Sequence, residues 1–181
     1  MERVTYEVNS HDEIIAVGDD WVAFARTNAA AHLTDRVIGR SLWDFVSGPS
    51  TQHVYRELLA RVRAGRTTSF AYRCDSPELR RFMRMTMIPR ADGVVAFDSV
   101  TLRTETRVAP IPDLLSANNA DADPGLRMCS WCKRVAVAES WEELETAVEN
   151  LGLFALSQPP SITHAVCPTC FVRFIQDMDA A

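Results

Sequence analysis

Lysine is nearly absent from this chain. Lys133 is the only one and the remaining 18 basic residues are arginine, a bias of genomic composition rather than of function. Long apolar runs are absent too. The densest, residues 14–17 and 21–25, fall far short of the roughly 18 residues a membrane span needs, so no membrane protein is expected. The start, Met1-Glu2-Arg3, lacks the basic head and apolar stretch of a secretory signal, and a cytoplasmic location is expected. Internal repeats of solenoid period are missing as well. What remains is globular: 181 residues, 47% apolar and 24% charged, suiting one ordinary domain plus a small one.

Charge is divided unevenly. Residues 1–104 carry 14 basic and 13 acidic side chains, whereas residues 105–181 carry 5 and 11. An acidic C-terminal part disfavours nucleic acid, because phosphate affinity comes from arginine and lysine. No nucleic-acid partner is expected.

Hydrophobic periodicity places two strands at residues 4–8 and 13–17. Gly18-Asp19-Asp20 then turns into a short helix, with Asp20 as candidate N-cap. A second short helix is expected around residues 42–46. Gly48-Pro49-Ser50-Thr51 follows, with Ser50 or Thr51 as candidate cap of a longer helix. Val54, Tyr55, Leu58, Leu59 and Val62 form its apolar face and Gly65 ends it. Three strands come next, at 68–74, 81–88 and 93–102, separated by Asp75-Ser76-Pro77 and Ala91-Asp92-Gly93. The expected fold class is α+β, an antiparallel sheet with helices on one face. Residues 107–126, polar and stiffened by Pro110 and Pro112, are expected to link it to a unit of 127–181.

That tail holds the most specific signal. Cys129 and Cys132 form one CxxC pair, Cys167 and Cys170 a second, and Cys74 stands alone. An odd count does not suggest a disulfide framework. Two knuckles offering four thiolates suit a closed, tetrahedral structural Zn²⁺ site, with no open position for a reacting water. An iron centre and a thiol–disulfide switch are the alternatives. Ser140 and Glu143 fit a capping box before the stripe Trp141, Leu144, Val148 and Leu151. Pro168 suits the first turn of a helix burying Phe171, Phe174, Ile175 and Met178. The expected module is therefore helical and clipped by metal. His164 is a candidate alternative ligand or an outer hydrogen-bond partner of the site. Lys133 and Arg134 either offset sulfur charge or are simply solvated.

Gly39-Arg40-Ser41-Leu42-Trp43-Asp44-Phe45 before the long helix, and Arg73-Cys74-Asp75-Ser76-Pro77 with Arg80-Arg81 in the hairpin, resemble the PAS sensory fold over residues 4–104. The tail resembles a cysteine module at the end of many bacterial PAS, GAF and response-regulator proteins. There a CxxCK pair, a Trp and a Ser-His-Gly-Ile-Cys-Pro-x-Cys segment recur; Thr163 and Ala165 replace the Ser and Gly here. The resemblance implies a PAS-like unit at 1–106 and a zinc-ribbon-like unit at 127–181, in a bacterial signalling context. It implies a sensory protein, not an enzyme, acting through a signalling partner protein or as a homodimer. A thiol-based redox sensor is the alternative.

A PAS fold can hold a small molecule between sheet and helices. Phe70, Tyr72, Met83, Met85, Met87 and Phe97 are the candidate lining, although residues at strand spacing are more often plain core. His53 falls opposite the long helix's apolar face, which disfavours haem ligation. The Asn-Cys-Arg motif of flavin-binding PAS domains is missing. Cys74 reads as a half-buried strand-end thiol, and Asp75 with Glu78 as a charged hairpin tip answered by Arg80, Arg81 and Arg84. His11 and His32 sit in expected turns and read as surface residues.

Overall fold

The computed structural model describes residues 2–27, 36–108, 125–153 and 160–179. Strands β1 (Arg3–Val8) and β2 (Ile14–Val17) form a hairpin. Helices α1 (Trp21–Thr27) and α2 (Pro49–Arg63) follow. Then come β3 (Thr68–Arg73), β4 (Leu79–Pro89) and β5 (Val95–Thr106). The sheet order is β2-β1-β5-β4-β3, and each neighbouring pair is antiparallel. The α+β class and the antiparallel sheet agree with the sequence reading.

α2 arises where the apolar spacing predicts it. Val54, Leu58, Leu59 and Val62 are buried, and burying each Leu contributes on the order of 2 kcal/mol. Its start differs from expectation. The N-cap is Gly48, at φ 88°, and Pro49 occupies the first turn, where its missing N–H costs nothing. Ser50 and Thr51 are therefore inside the helix. Thr51 is turned to bond the Ser130 hydroxyl at 2.7 Å. Gly65, at φ 94°, follows the helix end.

β4 alternates, with Arg81, Met83, Met85 and Met87 buried. Met85 and Met87 join Phe70, Val95 and Phe97 in the core under α2. Met85 and Met87 line neither of the two main openings of the described structure. His53, on the outer side of α2, is exposed, as is His11. His32 lies outside the described residues.

The tail departs from a purely helical module. It builds a second sheet of order β8-β7-β6-β9 from β6 (Leu126–Cys129), β7 (Val135–Val137), β8 (Ser140–Glu142) and β9 (Ile162–Ala165). β6 and β9 pair in parallel. The expected capping box does not form, because Ser140 to Glu142 are strand. α3 (Leu144–Asn150) begins later with Glu143 as N-cap. The Ser140 hydroxyl instead donates to the Val137 carbonyl, closing the β7–β8 turn. α4 (Pro168–Asp179) starts at Pro168 as expected, but Phe174 is buried while Phe171 and Ile175 are exposed. The side chain of Met178 lies outside the described residues.

Residues 109–124 of the expected linker also lie outside the described residues, but the segment's ends are structured. Arg107 is buried and Leu126 opens β6. No helix among the described residues is long and apolar enough to cross a membrane.

Candidate metal centre

The parallel pairing of β6 with β9 sets Met128 beside His164 and Cys129 beside Ala165. Both knuckles therefore emerge at the same sheet end. The first turns back through Lys133 at φ 61°, and its ammonium donates to the Ser130 carbonyl at 2.9 Å. The second runs from Cys167 into the first turn of α4, which holds Cys170.

The four sulfurs of Cys129, Cys132, Cys167 and Cys170 lie within 4.8 Å of one another. Four thiolates about 2.3 Å from a tetrahedral ion stand about 3.8 Å apart; the Cys132–Cys167 sulfur separation is 3.7 Å. Backbone N–H groups point at the sulfurs, from Cys167 to Cys129 and from Cys170 to Cys167, both at 3.4 Å. The start of α4 adds a positive dipole end. The donor set and its spacing fit a metal ion. Without one, the thiols share protons. Hydrogen bonds from Cys132 and Cys170 favour ionisation of Cys129, which draws its thiol down and pushes Cys132 up to about 12.

Cys129 and Cys167 are sealed from solvent, whereas Cys132 and Cys170 are half-buried. His164 sits on β9, half-buried and outside the sulfur cluster. Burial, then the Lys133 charge, lowers its pKa. Cys74 is also outside the cluster, and burial raises its thiol, which favours the inert, protonated form.

The centre is continuous with the core of the first unit. Trp131, from the first knuckle, stacks on Tyr55 of α2 at 5.6 Å and meets Phe174 of α4 at 4.5 Å. Phe174 in turn meets Phe70 of β3 at 5.4 Å. The Arg73 N–H donates to the Trp131 carbonyl at 2.7 Å.

Beside this contact runs an ionic network that the sequence reading missed. Asp75, expected at a charged hairpin tip answered by Arg80, Arg81 and Arg84, instead has its side chain buried between Arg73 and Arg107, and its bond to Arg107 is 2.7 Å long. Arg73 reaches on to Glu143 at 2.7 Å, and Arg107 to Glu145. Arg81, expected to answer that charged tip, is buried and donates to the Cys74 carbonyl. Only Arg84 of that trio is exposed. Two arginines flanking an acidic turn were the available signal. The partners of Arg73 and Arg107 on α3 and at its cap lie 70 and 38 residues away and left none.

Next to the outer sulfurs opens a cleft of about 420 Å³. Phe70, Tyr72 and Met83 from the expected ligand lining face it, along with Trp131, Cys132 and Cys170. Met85, Met87 and Phe97 do not. This cleft thus lies against the cysteine unit, and a second opening of about 390 Å³, lined by Tyr6, Val17 and Phe97 among others, lies against β1, β2 and β5. No family model matches this chain, and no curated protein matches it either.

Proposed function

We propose that this chain is a bacterial, cytoplasmic regulatory protein without catalytic activity, in which a PAS-like sensory unit and a zinc-clasped cysteine unit act together on a signalling partner protein. The order of two strands, short helices, one long helix and three strands supports the PAS-like reading. Four sulfurs at tetrahedral spacing support zinc. The carrying observation is the packing of Trp131 and Phe174 into the core around Tyr55 and Phe70. Through these rings the state of the metal centre bears directly on α2 and β3.

Elemental analysis and an absorption spectrum of the purified protein provide the first test. One zinc per chain with no visible chromophore is expected; iron, haem or flavin would overturn the assignment. Chelation should then weaken hydrogen-exchange protection in α2 and β3 as well as in the tail. Protection unchanged in those two elements would remove the proposed coupling.

One observation favours a redox variant of this reading. Cys132 and Cys170, one from each knuckle, face the cleft while their partners are sealed. Peroxide would take two electrons from this outer pair, forming one disulfide and, with two protons, two waters. The metal would be released. Zinc retained under peroxide would eliminate that variant.

A further inference from the structure

We propose that the cleft beside the four cysteines binds a flat, apolar small molecule carrying one negative charge, such as an aromatic carboxylate. Its volume of about 420 Å³ falls within the usual range of small-molecule sites. A bulge makes room for it. Phe82 pairs with Arg103 and Met83 with Thr101, so Leu102 is the extra residue on β5 and the ladder is interrupted at the cleft wall. The wall is otherwise aromatic, with Phe70, Tyr72, Phe82, Trp131 and Phe174. Aromatic faces and edges favour a ring-bearing ligand.

The charge comes from the rim and its neighbours. Arg73, Arg80, Arg103, Arg107 and Arg134 are tied into ion pairs with Asp75, Glu105, Glu143 and Glu145. Five cations against four carboxylates leave one positive charge. Lys133 and Arg173 add two more, and a dication held by four thiolates carries two net negative charges. Summed over these described side chains, one positive charge is left over. Arg173, exposed on α4 and lining the cleft, makes no ion pair among the described residues. A carboxylate at its guanidinium would complete the balance.

This count rests on a filled metal site, so zinc stoichiometry is measured first and its failure is read separately. The zinc-loaded full chain is then titrated with 2-naphthoate and with the neutral 2-naphthamide, following tryptophan fluorescence and calorimetry. The acid should bind about tenfold tighter than the amide, the size of one charge-assisted hydrogen bond. Arg173→Gln should abolish that preference and leave amide binding intact, whereas Arg103→Gln, already paired with Glu105, should keep it. Leu102→Trp, at an exposed strand position, should fill the cleft and block both probes while zinc content stays unchanged. Equal affinity for acid and amide, a preference surviving in Arg173→Gln, or no saturable binding overturns the proposal. So does sedimentation showing that a second copy of the chain covers the cleft and excludes the probes.

Discussion

Asp75 shows how much one side chain can carry here. It is 1% exposed and shared by two guanidinium groups, one of them fully buried. Asp75→Asn keeps the shape but removes the charge, leaving Arg73 and Arg107 undercompensated. The expected cost is about 3–5 kcal/mol, measurable by urea unfolding of the zinc-loaded protein. Gly48 is a second single-residue constraint. Its φ of 88° is left-handed, and an added Cβ would overlap the His164 carbonyl, so α2 and β9 approach as closely as backbone permits. Gly48→Ala should destabilise by about 1–3 kcal/mol. A thermal unfolding shift of no more than a degree would refute the close approach. At the metal centre, Cys129→Ser replaces a sealed sulfur with a hydroxyl. Bound zinc should fall below half an equivalent by elemental analysis.

At the scale of elements, the cap of α3 ties the small sheet to the large one. Burial alone would raise the Glu143 carboxyl, but hydrogen bonds and charge from Arg73 and Arg134 outweigh it and hold it below the ordinary 4.5. A carboxyl depressed in the folded state contributes stability above its unfolded value. That contribution is lost as pH falls through the folded value. Glu143→Gln should therefore be less stable than wild type at about pH 6, with the gap narrowing as pH falls below 4.5 through the folded value. A gap that persisted in acid would mean that packing, not charge, sets the role of Glu143. The parallel β6–β9 pairing matters in the same way. It joins segments more than 30 residues apart in sequence and aims both knuckles at one point.

For the molecule as a whole, the aromatic contact between Tyr55, Phe70, Trp131 and Phe174 draws the cysteine knuckles and α4 into the core of the large sheet, while Leu126, Met128, Val135 and Leu144 form a second core between the small sheet and α3. Cooperative unfolding follows, since the knuckles and α4 cannot leave the large sheet without exposing the Tyr55 and Phe70 rings. Calorimetry of the zinc-loaded chain should show one transition; two resolved transitions would contradict the shared core. Trp131→Ala should cost about 3–5 kcal/mol and separate that transition into two.

Much of this was legible from local pattern. Spacing alone located α2, because burial of Val54, Leu58, Leu59 and Val62 depends on helical period and little else. Alternation located β3 and β4, and two CxxC pairs announced a sulfur-rich site. The same logic failed at Ser140. The capping box is a weak local preference, and strand pairing of Trp141 with Ala136 satisfies more backbone groups than one cap. It failed again at Phe171 and Ile175, which are exposed on the apolar helix face while Phe174 is buried.

By itself, then, the sequence determined the main elements of the first unit, their order and the presence of four paired cysteines, because each depends on neighbours within a few residues, whereas the tail sheet was not read. Only the tertiary structure decided which sulfurs are sealed and which are open, that the Asp75 and Arg107 side chains are buried together, and that a cleft reached by Met83 opens beside the cysteine unit. Those outcomes depend on side chains from β3, α3 and α4 arriving at one place. No spacing rule along the chain encodes such an encounter.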